Sequence, residues 1–112
     1  MPTGTLGTPT LLPASRVVAL YKAPIGKPGA ILNINLCNIT NGAVLVRVAI
    51  SAKDTPEQSD WLEYDAYLKP CGTPDNGNVL ERSGLAISGG ETVFVYANVA
   101  NAVSARTFGV EK

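Results

Sequence analysis

Asp54, Glu57, Asp60, Glu63 and Asp65 are the one place in this 112-residue chain where oxygen ligands crowd together. Carboxylates from a loop and an adjoining strand suit calcium. Their spacing matches no calcium-binding loop, so the plainer expectation is a solvated loop running into the outer face of a strand. The chain has no histidine, which removes the commonest general base and the commonest metal ligand together. Cys37 and Cys71 fit no zinc spacing. Ser83 and Ser104 have no base to activate them, and Gly84, Gly89 and Gly90 do not link a strand to a helix as a phosphate cradle requires. The expectation is a protein that is not an enzyme, with no catalytic, cofactor-binding or metal-binding residues and no cofactor. An enzyme reading would have to start from Asp60, Glu63 and Asp65.

The remaining chemistry is aromatic. Trp61, Tyr64 and Tyr67 lie in Trp61-Leu62-Glu63-Tyr64-Asp65-Ala66-Tyr67-Leu68. Strict alternation puts Trp61, Glu63, Asp65 and Tyr67 on one face and Leu62, Tyr64, Ala66 and Leu68 on the core face. Exposed aromatics on a β-sandwich can stack on sugars, and they are equally enriched in subunit contacts. With only 16% charged residues in the chain, a subunit contact through Trp61 and Tyr67 is favoured over a carbohydrate platform.

The elements that carry these residues read as strands. Arg16 to Tyr21 is a first strand, followed by a Pro24 to Gly29 loop. In Ala30 to Cys37, Leu32, Ile34 and Leu36 share one face and Asn33 and Asn35 the other. Asn41-Gly42 is a hairpin turn, and Val44, Val46, Val48 and Ile50 then face the core with Arg47 opposite. Residues 51 to 60 form a loop, residues 61 to 68 the aromatic strand, and Pro70 to Gly77 a turn ending in a second Asn-Gly step at Asn76. Val79 to Ile87 is a strand broken by a bulge at Gly84. Thr92 to Ala97 and Val103 to Val110 complete the set. Seven short strands without a helix predict an all-β antiparallel sandwich, Ig-like or jelly-roll-like, over residues 16–112.

Residues 1–15 differ from the rest. Pro2, Pro9 and Pro13 with Gly4 and Gly7 exclude a helix and favour an extended N-terminal arm. The arm is either a mobile leader or a segment that pairs with a neighbouring subunit's sheet edge or groove, and the second is the expectation. Thr3, Leu6, Thr8, Leu11 and Leu12 would then touch the partner, and the domain would stay folded without them.

Bulk properties point the same way. Apolar residues make up 46% of the chain, and nine Lys/Arg balance nine Asp/Glu. A neutral, weakly charged surface favours self-association and gives no counterion-releasing face for nucleic acid. No apolar run approaches the roughly 20 residues of a membrane-spanning helix. The N-terminus lacks the pattern of a signal peptide. Synthesis and use inside a cell, without export, are therefore expected, with both thiols reduced and half-buried and the acceptor-like Asn38-Ile39-Thr40 unmodified.

The segments ILNINLCNITNGAVLVRVAIS, WLEYDAYL and NVLERSGLAISGGETVFVYANVANAVSARTFGVEK resemble small structural proteins of tailed-bacteriophage virions. The matching features are an Asn-rich strand and hairpin, a Tyr-Asp strand, Leu80-Glu81-Arg82-Ser83-Gly84-Leu85, the Gly90-Glu91 turn and the Phe108-Gly109-Val110-Glu111 ending. The likeness spans residues 29 to 111 and omits the arm. It implies a non-catalytic β-sandwich component of the virion. The expected role is a capsid cement or decoration protein that clamps neighbouring copies of the major capsid protein. A tail, baseplate or fibre-adaptor component is the alternative. Self-association, with a trimer favoured, would match threefold junctions of a shell.

Overall fold

A computed structural model describes residues 3–75 and 77–112. Eight strands run in order: β1 (Thr3–Leu11), β2 (Val18–Lys22), β3 (Gly29–Asn38), β4 (Val44–Ser51), β5 (Trp61–Leu68), β6 (Val79–Ser88), β7 (Thr92–Ala97) and β8 (Val103–Glu111). A single 3-10 turn, Gln58–Asp60, precedes β5. The strands form two four-stranded antiparallel sheets, β1-β8-β3-β6 and β2-β7-β4-β5, packed face to face. The all-β sandwich expected from the alternation is therefore present. The second Asn-Gly step, at Asn76, and the residues Met1 and Pro2 lie outside the described residues.

Alternation builds the core where the strands are interior. Leu32, Ile34 and Leu36 of β3 meet Val44, Val46 and Val48 of β4, Val93 and Val95 of β7, and Val103 and Ala105 of β8. Asn33, Asn35 and Arg47 point outward, as the period of two requires. The bulge expected at Gly84 is present, where Ser83 and Gly84 together oppose Asn33. The Asn33 side-chain oxygen accepts a hydrogen bond from the Gly84 amide at 2.9 Å, so the extra residue leaves no orphan donor there.

Residues 1–15 depart from the expected arm laid on a neighbouring subunit. They are extended, but residues 3–11 pair antiparallel with β8 of the same chain and make β1 an eighth strand. Leu6 and Leu12 are buried in the core, at 4% and 0% exposure. The physical reason is that β8 would otherwise present an open edge, and two of the three leucines in this Thr/Gly/Pro-rich segment fill the space beneath it. Gly7 makes the approach possible, since a Cβ there would stand 2.5 Å from the Leu20 carbonyl oxygen of β2. The domain therefore includes this segment, and truncating it removes core.

Two contacts close the open sides of the sandwich. Between the edge strands β5 and β6, Arg82 pairs with Glu63 at 3.0 Å. Toward the other side, Tyr21 Oη of β2 donates to Glu111 Oε2 of β8 at 2.7 Å. Burial first, then the hydrogen bond and negative charge of Glu111, push the Tyr21 phenol well above its ordinary value.

Candidate functional site

The acidic group separates once the chain folds. Glu57 pairs with Lys53 and Asp65 with Arg47, while Glu63 reaches Arg82 on the other sheet. Asp60 accepts from the Glu57 amide at 2.8 Å, which with the Ser51 hydroxyl holds its carboxyl below the usual range. Among the described residues, no group of three or more Cys, Asp or Glu side chains is placed to hold a metal ion. Cys37 and Cys71 are free and half-buried.

Asn38 is fully buried and organises one end of the sandwich. Its Nδ2 donates to the carbonyls of Gly42 at 2.8 Å and Lys69 at 3.0 Å, and its Oδ1 accepts from the Thr40 amide at 3.0 Å and hydroxyl at 2.8 Å. The amide nitrogen of the acceptor-like motif is thus consumed by the fold. One side chain ties the β3–β4 loop to the chain leaving β5. Backbone bonds extend the lattice, from Leu12 to Val103, Asn101 to Leu12, Ser15 to Ala97, Ile39 to Ala102 and Cys71 to Thr40. From this knit end Leu11, Val17, Ile39 and Val99 expose aliphatic side chains. At the opposite end only Ile25 does so among the described loop residues.

The outer face of the β2-β7-β4-β5 sheet is the second surface. Register places Trp61 beside Ala49 and Phe94, Arg47 beside Tyr96, and Tyr67 beside Leu45. Two irregularities in β5 shift its pattern, one near Leu62 and one at Tyr64-Asp65 opposite Arg47. Asp65 takes a positive φ of 56°. Tyr64 therefore lies outward and is 58% exposed, contrary to its expected place in the core, while Glu63 turns to the sandwich edge. Strict alternation fails here because neither irregularity carries a Gly or Pro signal.

The shift assembles a stack. The Arg47 guanidinium sits 4.0 Å from the Tyr64 ring centre and 4.4 Å from that of Tyr96. Its Nε donates to Asp65 Oδ1 at 2.7 Å and its Nη2 to Asp65 Oδ2 at 3.3 Å. Trp61 meets Tyr64 edge-on at 5.5 Å between centroids. Every aromatic residue of the chain except Tyr21 and Phe108 stands on this face. The outer face of the other sheet mixes Asn33, Asn35, Ser104 and Arg106 with Phe108 and an exposed Ile31.

The sequence-derived contact residues fall into three groups. Thr3, Thr8 and Leu11 are exposed on β1. Tyr67 is 62% exposed on the aromatic face, and Trp61, half-buried, stands farther along the same strand against Tyr64. Leu6 and Leu12, expected on a partner, lie in this chain's own core. Sequence reasoning missed Tyr64, Arg47 and the loop end. A shallow groove of about 450 Å³ between β1 and β2 is lined by Gly7, Thr8, Thr10 and residues 19–22, and holds no constellation of catalytic groups.

Comparison with protein-family models, curated proteins and solved structures found no match to this chain.

Proposed function

We propose that the protein is a non-enzymatic structural component of a bacteriophage particle, acting as a capsid cement or decoration protein. The observation that carries the reading is the rigid apolar loop end: Leu11, Val17, Ile39 and Val99 exposed on a base fixed by the buried Asn38. Aliphatic tips held this firmly lose little freedom on docking, which favours a preorganised contact repeated over a shell. The strand order β1-β8-β3-β6 and β2-β7-β4-β5 is read as a jelly roll, an arrangement frequent in capsid proteins. That support is an analogy of fold, since folds alone do not determine function. The likeness of residues 29 to 111 to virion proteins agrees with it.

In this reading the loop end seats on neighbouring copies of the major capsid protein, with the exposed β1 residues Thr3, Thr8 and Leu11 alongside. Self-association into a trimer would present three such ends at a symmetric junction. Neither nucleic acid nor membrane is a partner. The protein is made in the host cytoplasm and resides in the virion.

The test is incorporation. Ile39→Asp combined with Val99→Asp should leave the melting temperature within a few degrees of the parent and reduce copies per purified particle by about tenfold or more, because charged groups would be desolvated at the contact. Unchanged copy number in the doubly substituted particle contradicts docking through this end, and absence of the parent protein from purified particles contradicts the function.

A further inference from the structure

We infer that the outer face of the β2-β7-β4-β5 sheet binds a neutral saccharide, with Tyr64 and Tyr67 stacking on sugar rings and the Arg47–Asp65 pair gripping a vicinal diol. Residual charge is the first argument. At the aromatic cluster Arg47 pairs with Asp65, and on its flanks Lys53 pairs with Glu57 and Lys69 with Asp75, while Lys22 and Asp54, toward Phe94, are outside these pairs and opposite in sign. At the cluster itself the charge is matched internally and the flanking charges offset each other, which gives a charged partner no net field to follow and favours an uncharged occupant.

The second argument is the hydrogen-bonding capacity at its centre. Arg47 spends Nε and one Nη2 hydrogen on Asp65, leaving its Nη1 hydrogens and the outer lone pairs of the carboxylate. A fixed donor beside a fixed acceptor suits two adjacent hydroxyls, one accepting from the guanidinium and the other donating to the carboxylate. The rings of Tyr64 and Tyr96 lie 4.0 and 4.4 Å from the guanidinium carbon and help hold it, so this geometry exists before a ligand arrives. The third argument is shape. Tyr64 and Tyr67 are 58% and 62% exposed on an open sheet face, which gives flat apolar area to the C–H face of a pyranose. The bulge at Tyr64-Asp65 brings Tyr64 onto the face that already carries Tyr67, Arg47 and Asp65, where strict alternation would have turned it to the core.

This inference is independent of the virion reading and uses a surface separate from the loop end. Its test is saturation-transfer NMR of the intact protein with methyl glycosides of glucose, galactose, mannose and N-acetylglucosamine at millimolar concentration, with sialyllactose as the charged comparison. Fluorescence of Trp61, the only tryptophan, supplies a second readout through its contact with Tyr64. At least one neutral glycoside is expected to bind. Tyr67→Ala should weaken it by about tenfold, and Arg47→Lys, which keeps the charge but loses the planar fork, should weaken it similarly without unfolding the protein. No transfer to any neutral sugar overturns the inference, as does binding confined to sialyllactose or unchanged by Tyr67→Ala. If sugars fail and Tyr67→Ala instead reduces particle occupancy, the face is a protein contact and the inference falls while the particle role stands.

Discussion

At the residue scale, Asn38 does the most with one side chain. Removing its amide takes the side-chain partner from the Lys69 carbonyl and the Thr40 amide, leaves the Gly42 carbonyl and Thr40 hydroxyl only each other, and opens a void at a fully buried position, so Asn38→Ala should cost about 2–4 kcal/mol. Asn38→Asp should be at least as harmful, because it sets a carboxylate against the Gly42 and Lys69 carbonyl oxygens. Urea denaturation of both variants checks this, and a loss under about 1 kcal/mol would contradict the assigned network. Asn38 was legible in the sequence only as a glycosylation-like triplet, because its partners at residues 42 and 69 come together through the fold. The aromatic site was half legible. Trp61 and Tyr67 stood out by type, but the role of Tyr64 depended on a positive φ at Asp65 that no glycine announced.

The elements show a consistent division between interior and edge. The β3–β8 and β4–β7 ladders run without interruption, while the pairings that attach β1, β2, β5 and β6 each contain a shift in register. Irregular edges resist pairing with another chain, so assembly should proceed through loops and faces rather than by sheet extension. The same division explains what the sequence disclosed. Alternation assigned β3, β4 and β7 correctly because regular ladders impose it, failed in β5, and gave no sign of β1, whose Thr, Gly and Pro content resembles a tail. Deleting residues 1–11 should therefore lower the melting temperature by more than about 10 °C, or prevent soluble expression, since Leu6 and the cover of β8 are lost together; a truncated protein that melts like the parent would restore the expectation of an arm separate from the folded domain. Gly109, at φ 155° between β1 and β3, is a sharper probe, because a Cβ there would lie 2.2 Å from the Ile31 carbonyl oxygen. Gly109→Ala should cost about 2 kcal/mol or more, measured by denaturant midpoint.

For the whole molecule, the missing histidine makes a pH prediction. Asp60 and Asp75 are held below the ordinary carboxylate range, Asp60 by the Glu57 amide and Asp75 by Lys69. Their stabilisation is present above the unfolded Asp value, about 3.9, and is lost as pH falls through their lower folded values. At the alkaline side, the raised Tyr21 phenol stabilises the fold fully below its unfolded value, about 10, and progressively less as pH rises beyond it. Calorimetry should give a melting temperature nearly flat from pH 5 to 8, falling near and below pH 4 and above about pH 10. Tyr21→Phe should lessen the alkaline fall, and a marked drop between pH 7 and 5 would contradict the assignment. The neutral surface, with nine charges of each sign, fits a protein that functions in contact with others. The most direct measurement of that role is an electron-microscopy reconstruction of the assembled particle. The account predicts sandwich-shaped density on the capsid, with the loops around Leu11, Val17, Ile39 and Val99 turned toward the shell and the Tyr64–Tyr67 face turned to solvent. Density found only at the tail, or a shell without it, would contradict the account.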